Sequence, residues 1–476
     1  MTNKFYITTP VYYPNDIPHL GHAYTTIAAD ILARWNKIKG KKVWFLTGTD
    51  EHGKKIEKIA KKNGKKPREF VDELIPKFKQ AWNTLNLEYD RFIRTTDEDH
   101  VKKVQEILQK TYKKGDIYLG EYEGYYCIEC EAYYTKKDLE NSCCPIHKTK
   151  IDKLNEKSYF FRLSKYQKKI LKFYNKNPNF ILPKFRQKEI INRVKEGLQD
   201  LSISRTSFNW GVQLPFDKKH IAYVWFDALI NYVSGANNYW PADVHLIGKD
   251  ILWFHVVIWP AILISADLKL PKSVFAHGWW TLNKEKISKS KGNKINIREL
   301  VDIAGVDSVR YFLFREIPFG QDGDFSETAL RERHNNELAD KLGNLVSRVS
   351  ALAEKNGIEK TNNRLIKKLN INKIEKLFDN YEFDKILNEI FSFIDSCNLY
   401  VQDKKPWENT CNGKEKILYE LTDSIKAIAI LLYPFIPSTS KKIANQFNFK
   451  IDFKEILKPL KVSKIKKSEI LFKKIK

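Results

Sequence analysis

The sequence predicts an α/β fold: a doubly wound parallel sheet split by an insertion, followed by a bundle of helices. Three observations carry this. Strand, helix and strand patterns follow one another over residues 4–47. The pattern breaks between Gly115 and Phe216, where aromatic residues and cysteines cluster, and it resumes beyond. From about Ser326 onward the apolar spacing is helical.

Residues 4–9 contain Phe5-Tyr6-Ile7-Thr8-Thr9, the composition of a buried strand. Ile27, Ile31, Leu32, Trp35 and Ile38 then recur at helical spacing over 22–39, and Gly40 ends that helix. Residues 42–47, Lys-Val-Trp-Phe-Leu-Thr, form the next strand, and the turn 48–53 follows. Such a βαβ unit starts a parallel sheet whose ligands lie beyond the carboxyl ends of its strands. His19, His22 and residues 50–52 fall there. After the insertion, 222–226 and 245–248 read as returning strands. Residues 251–264 are strongly apolar but too short for a membrane span, and carry His255 and Pro260; they read as a buried helix. Leu338, Leu342, Leu345, Val346, Val349 and Leu352 form one helical stripe, and 386–400 and 417–432 repeat the pattern. The lysine-rich stretch after Leu457 is either a solvated tail or a last packed segment. The expected divisions are 1–114 and 217–280 for the halves of the sheet domain, 115–216 for the insertion, 281–330 for a loop region and 331–476 for the helical domain.

A chain of 476 residues can bury a sizeable core in two to four domains. With 30% charged and 13% aromatic residues it is globular rather than disordered. The net charge of +25 favours a polyanionic partner, nucleic acid above all, although part of it follows from a general richness in Lys, Ile and Asn. The chain opens on a strand rather than a targeting signal, and no stretch reaches the roughly 18 apolar residues of a membrane span. Six cysteines, four of them clustered, then point to a reducing cytoplasm and a metal site.

Two polar clusters suit nucleotide phosphates: His19-Leu20-Gly21-His22 and Lys286-Ile287-Ser288-Lys289-Ser290. The histidines open a helix, whose first amides favour phosphate. Gly21 has no Cβ to keep an adenine ring from the backbone. Lys286 and Lys289 supply point charges. Gly292 just beyond them suits a loop that closes when ATP binds. Capping and core roles for the histidines, and a solvated loop for the lysines, are the plain alternatives. Cys127-x2-Cys130 and Cys144-x2-His147 together offer four ligands to Zn2+, a closed set that makes the site structural. Cys143 is a fifth candidate that either replaces Cys144 or stands aside; buried thiols and a disulfide are the competing readings. Asn344 and Arg348 lie four apart on a helix, turned away from Leu342, Leu345 and Val349, and so face outward. Trp407 follows Pro406 at a loop start. An exposed indole near a polar pair suits unstacked RNA bases, against the simpler options of a core anchor and a solvated face.

The two phosphate clusters are similar to the paired signatures of class I aminoacyl-tRNA synthetases. The surrounding words resemble the methionyl-tRNA synthetase family: Pro10-Val11-Tyr12-Tyr13-Pro14-Asn15, Gly48-Thr49-Asp50-Glu51-His52-Gly53, Gly197-Leu198-Gln199-Asp200 with Ile203-Ser204-Arg205, Val224-Trp225-Phe226-Asp227-Ala228, and Gly248-Lys249-Asp250-Ile251. The match runs nearly end to end, finishing at Ile470-Leu471-Phe472. It implies a Rossmann-like sheet, a zinc-bearing connective insertion and an α-helical anticodon-binding domain. It also implies attack of the methionine carboxylate on the α-phosphate of ATP, giving methionyl-adenylate, then transfer to the 3' end of tRNA(Met) for initiation and elongation. His19, Gly21, His22, Lys286, Ser288 and Lys289 would bind ATP, with His19, His22, Lys286 and Lys289 catalytic and Mg2+ riding on the pyrophosphate oxygens. Val11, Tyr13, Trp225, Ala228, Tyr232, Ile251 and His255 correspond to the methionine pocket. Asp50 corresponds to the partner of the substrate ammonium, Asp250 to a further polar contact, and Arg205 to a link between the substrate and catalytic regions. The knuckle would hold an insertion that covers the acceptor end. Asn344, Arg348 and Trp407 correspond to the residues that read a CAU anticodon. An appended dimerising domain is not expected, so a cytoplasmic monomer is.

Three rivals are weaker. Leucyl, isoleucyl and valyl enzymes carry an editing insertion too large for this length, and a cysteinyl enzyme would need a cysteine on the first strand, where residues 5–14 contain none. A small-molecule nucleotidyltransferase would lack the knuckle and the anticodon residues. A catalytically dead tRNA-binding protein would not keep every motif residue.

Overall fold

The computed structural model describes residues 3–127, 132–134, 139, 141–145, 149–282, 285–286, 295–461 and 464–476. Its central sheet has six parallel strands in the order Arg91–Arg94, Lys42–Thr49, Lys4–Tyr12, Val244–Gly248, Val274–His277, Ile181–Leu182. The first strand lies inside: the chain winds outward from it on one side, then returns to its other side. The order therefore reverses between Lys4–Tyr12 and Val244–Gly248, where Ile7 pairs Val244, and a crevice opens at such a reversal. The pairing with the second strand shifts between Thr8 and Val11. Pro10 sits in that interval and has no amide to give the ladder, so the strand bends there and re-aims Val11 to Tyr13.

The helix Leu20–Ile38 follows, ending at Lys39 before Gly40, whose φ is +81°. It is buried on almost every side because it lies between the sheet and the C-terminal domain. Trp35 near its end stacks on Phe378 of that domain, 3.9 Å between centroids and 8° from parallel.

Residues 222–226 do not return to the main sheet. Asp217–Ala222 is an antiparallel strand in a small sheet with Gln213–Leu214 and Ser204–Arg205, and Val224–Leu229 is a helix. The amides of Phe226 and Asp227 both donate to the Tyr223 carbonyl, starting the helix. A short apolar run carries no period that separates the two states. The strand at 245–248 is present, as Val244–Gly248. The apolar stretch 251–264 is a buried helix of mixed pitch: a π segment, Phe254–Ile258, runs into the α-helix Trp259–Ser265. Pro260 falls in the first turn of the latter, where its missing N–H costs little.

Within residues 115–216, a long hairpin pairs Ile117–Cys127 with Asp152–Phe161, flanked by Ala132–Tyr134 and Leu201–Ser202. The same stretch contributes the edge strand Ile181–Leu182 to the main sheet. The C-terminal part is helical, with Asn344–Asn356, Phe383–Lys404 and Lys414–Leu432 at its centre. Leu338, Leu342, Leu345, Val346 and Val349 are fully buried. The helix expected through them is a π-helix over His334–Gly343 before it becomes α. The end of the chain is packed: Leu460 and Ile465 are buried, the Ile475 amide donates to Asn335, and the Ser468 amide donates to Ser350. No helix among the described residues is long and apolar enough to cross a membrane.

Candidate active site

The sheet reversal places the start of the Leu20–Ile38 helix beside the bent end of the first strand. His19 is the N-cap. Its Nδ1 accepts the Gly21 amide at 3.0 Å, and His22 Nδ1 accepts the His19 amide at 3.2 Å. The rings stack at 3.9 Å. A neutral imidazole at either position would carry its proton on Nε2, leaving that nitrogen as the donor while Nδ1 serves the cap. Gly21 has a second reason to be glycine: a Cβ there would lie 3.0 Å from His19 Cε1. Tyr12 holds the helix from the first strand through Thr26, 2.8 Å away, and Thr25 bonds His277 Nε2 at 2.6 Å.

His277 ends the strand Val274–His277, and the hairpin Trp280–Leu282 with Glu285–Lys286 comes next, pairing Thr281 with Lys286. The main chain of Lys286 thus springs from the strand beside the histidine helix. Ser288 and Lys289 lie outside the described residues.

On the other flank, Tyr232, His255, Trp225 and Ile251 come together. The Tyr232 hydroxyl meets His255 Nε2 at 2.7 Å, and His255 Nδ1 donates to the Ile251 carbonyl at 2.9 Å. Those partners fix the tautomer: Nδ1 carries the proton and Nε2 accepts from the phenol. Burial lowers the His255 pKa to about 4 and keeps the ring neutral. Trp225 lies flat on Phe254, 3.8 Å and 8°, and edge-on to His255. Ala228 is buried on the Trp225 helix and Val11 and Tyr13 are half-buried. Asp50 is buried, its amide bonded to the Tyr12 carbonyl at 2.9 Å. Burial, and more weakly the Asp50 charge, raise the Tyr232 phenol. The result is an aromatic cluster around a neutral histidine, with a carboxylate near it.

Arg205 is buried on the small sheet. Its guanidinium bonds Ser202 Oγ at 3.0 Å and lies over the ring of Tyr223, the residue that starts the Trp225 helix. Asp250 is exposed at the sheet end and accepts the Trp279 indole N–H at 3.4 Å. Asn344 and Arg348 are exposed in the C-terminal domain, and Trp407 is 42% exposed after the end of Phe383–Lys404. Cys127 and Cys144 are buried in one small cluster with Ile151 at the tip of the hairpin, and neither is in a disulfide. Cys143 is half-buried in a bridge with Lys150. Cys130 and His147 lie outside the described residues, so no three ligands converge among those described. Two buried thiols in one cluster are donors that suit Zn2+.

Sequence reasoning passed over Asp227. It is buried, its Oδ2 receives His52 Nδ1 at 2.7 Å, and its Oδ1 receives His100 Nε2 at 2.8 Å. Burial alone would raise its carboxyl; the two imidazoles outweigh that and hold it down to about 2. A single charge inside the apolar run 224–229 was the available signal. Glu51 is likewise buried and clamped by Arg94 at 2.7 and 2.9 Å.

A family model described as tRNA synthetases class I (M) matches residues 5–156 and 134–350, and the anticodon-binding domain of tRNA ligase matches 364–474. A methionine–tRNA ligase of Caldanaerobacter subterraneus is 46% identical, covering 100% of this chain and 79% of the relative. That of Rickettsia conorii is 44% identical, covering 94% of this chain and 93% of the relative. The Mycobacterium tuberculosis methionyl-tRNA synthetase in complex with methionyl-adenylate superposes with a TM-score of 0.95 at 37% identity, covering 99% of this chain and 100% of that one. Its apo form gives 0.87 at 34% identity, covering 100% and 99%. A parallel sheet with a helix start at its reversal, matched by the class I model and joined to an anticodon-binding domain, defines a class I aminoacyl-tRNA synthetase. Within that class the chain belongs to the methionyl-tRNA synthetase family, and it acts as a methionine–tRNA ligase.

Proposed function

We propose that the hollow formed by Trp225, Tyr232, His255, Ile251, Ala228, Val11 and Tyr13 takes the methionine side chain, with Asp50 on the substrate ammonium. The observation that carries this is the neutral His255–Tyr232 pair among stacked rings, close to the His19–His22 helix start. Thioether sulfur is soft and packs well on aromatic rings. A neutral imidazole avoids placing a charge beside it. Asp250 adds a polar contact at the rim, and Arg205 steadies the Trp225 helix through Tyr223.

The methionine carboxylate attacks the α-phosphorus of ATP; the bond to the bridging oxygen breaks and pyrophosphate leaves. No protein nucleophile is needed, so rate comes from placement and from stabilising charge on the phosphates. His19 and His22 donate through Nε2, Gly21 leaves room for adenine, and Lys286, Ser288 and Lys289 engage the phosphates. Mg2+ accompanies the phosphate oxygens. A hydroxyl of the terminal ribose of tRNA then attacks the acyl carbon, and AMP leaves.

Asn344, Arg348 and Trp407 read the CAU anticodon of tRNA(Met); their exposure on the C-terminal domain supports this. Cys127, Cys130, Cys144 and His147 would hold Zn2+, whose contribution is structural: it fixes the hairpin tip over the acceptor end. The enzyme works as a cytoplasmic monomer. Methionine-dependent ATP–pyrophosphate exchange tests the core of this reading. Exchange with methionine is expected, with His255→Ala raising the KM for methionine; exchange that fails, or runs with cysteine instead, overturns it.

A further inference from the structure

His52 stands two residues after Asp50, and Asp227 stands two residues after Trp225. Their hydrogen bond of 2.7 Å joins two walls of the hollow that are 175 positions apart in sequence. The turn bearing Asp50 is otherwise held from outside. The Trp210 indole donates to the Glu51 carbonyl at 2.5 Å, and Arg94 clamps the Glu51 carboxylate. Tyr13, itself a pocket residue, reaches the His52 carbonyl at 3.4 Å. The helix Val224–Leu229, only six residues long, carries Trp225 and Ala228, and the His52–Asp227 bond is a direct side-chain link from it to this turn. Behind it, His100 Nδ1 accepts from Ser234 at 2.8 Å while its Nε2 holds the other oxygen of Asp227. Asp227 thus has two arms: one toward the substrate hollow through His52, one toward the scaffold through His100.

We propose that Asp227 is a positioning residue for methionine recognition: through His52 it fixes the turn carrying Asp50 against the helix carrying Trp225 and Ala228. The ionised carboxylate only accepts, so His52 must donate from Nδ1. This bond couples the ammonium partner directly to the aromatic wall, and a shift of a fraction of an ångström there changes how both ends of a small substrate are met at once. The proposal rests on the reading that Asp50 and Trp225 meet methionine.

The test is steady-state ATP–pyrophosphate exchange on the full chain, with KM measured separately for methionine and ATP. Asp227→Asn is expected to raise the methionine KM about tenfold or more while the ATP KM stays within about twofold, the pattern of lost ground-state binding at one substrate. If that variant fails to fold, the His52 series decides. His52→Asn keeps an N–H near the Nδ1 position and should restore most of the affinity that His52→Ala loses. His52→Gln places its N–H near Nε2 and should not. His100→Ala should lower the melting temperature without changing the ratio of the two KM values. Equal defects in His52→Asn and His52→Gln, or a methionine-specific defect in His100→Ala as large as that of His52→Ala, would overturn the proposal. Asp50→Ala and Trp225→Ala run alongside: if neither raises the methionine KM, the pocket assignment and the proposal fall together. If only the Asp227 and His52 variants are silent, the proposal alone fails.

Discussion

At the scale of single residues, the site spends stability on neutral histidines. His255 and His277 are fully buried, and desolvation brings each pKa to about 4. An unfolded histidine titrates near 6.5. Between those values the unfolded chain takes up protons that the folded site refuses, so unfolding becomes easier as the pH falls. The stability is fully present above about pH 6.5 and is drawn down toward pH 4, by up to about 3 kcal/mol for each ring. Urea midpoints measured at pH 7 and at pH 4.5 should therefore differ for the wild type. His255→Gln, which cannot titrate, should show a smaller drop; parallel curves for the two proteins would show that His255 is not held neutral. At His255 the fixed tautomer lets Nε2 accept the Tyr232 phenol, which suits the uncharged wall proposed for the methionine side chain.

At the scale of elements, the hairpin Ile117–Cys127 with Asp152–Phe161 is long and two-stranded over most of its length, a form that needs help to stay ordered. The small cluster of Cys127, Cys144 and Ile151 at its tip is slight for that task. If Zn2+ supplies the rest, treatment with a strong chelator should release one ion per chain and depress tRNA charging several-fold more than ATP–pyrophosphate exchange, since the sheet reversal is remote from the tip. Equal loss of both, or no metal released, would count against the knuckle. Elements were unevenly legible in the sequence. The first strand, the Leu20–Ile38 helix and the second strand have clean periods, and they were read to within a few residues. The helix Val224–Leu229 was read as a strand because its start is set by the Tyr223 carbonyl and its place by Asp227, His52 and His100, partners distant in sequence. The two-residue strand Ile181–Leu182 is too short to carry any period. The π segment His334–Gly343 was invisible for another reason: Leu338 and Leu342 are four apart, a spacing that both helix types bury. Both π segments adjoin proposed recognition residues, one containing His255 and the other ending just before Asn344, as such segments often do. At the proposed site, the words that carry the histidines and aromatic residues are long, whereas Asp227 and Glu51 are held by partners distant in sequence; Asp227 left only the oddity of a charge in an apolar run, and Glu51 sits among polar neighbours that hide it.

At the scale of the whole molecule, one helix serves both domains. His19 and His22 head it, while Asp30, Arg34 and Trp35 near its other end face the C-terminal domain. Asp30 receives Arg34 at 2.6 Å and Arg310 at 2.5 Å, all three almost wholly buried. Arg310 also donates to the carbonyls of Leu85, Pro434 and Phe435, and Arg34 donates to the Tyr433 hydroxyl at 3.1 Å. Arg34 also reaches the half-exposed Glu88 at 3.2 Å, so Asp30 is the fully buried carboxylate that the two guanidinium groups share, with backbone carbonyls taking further donors. The weak point of the arrangement is therefore that shared carboxylate. Asp30→Ala would leave Arg310 buried without its ion-pair partner and Arg34 with the Glu88 pair alone, and should cost about 3–5 kcal/mol, the range for breaking a buried pair by removing one partner. Arg298→Ala, which removes an exposed pair with Asp302, should cost less than about 1 kcal/mol. Because Asp30 joins the sheet domain to residues 434–435 through Arg310, its loss should also separate the unfolding of the two domains, visible as two transitions in calorimetry where a single one is expected of the wild type. A cost under about 1 kcal/mol with a single transition retained would mean that the junction is held by apolar contacts such as Trp35 on Phe378, and that the charges merely fill it.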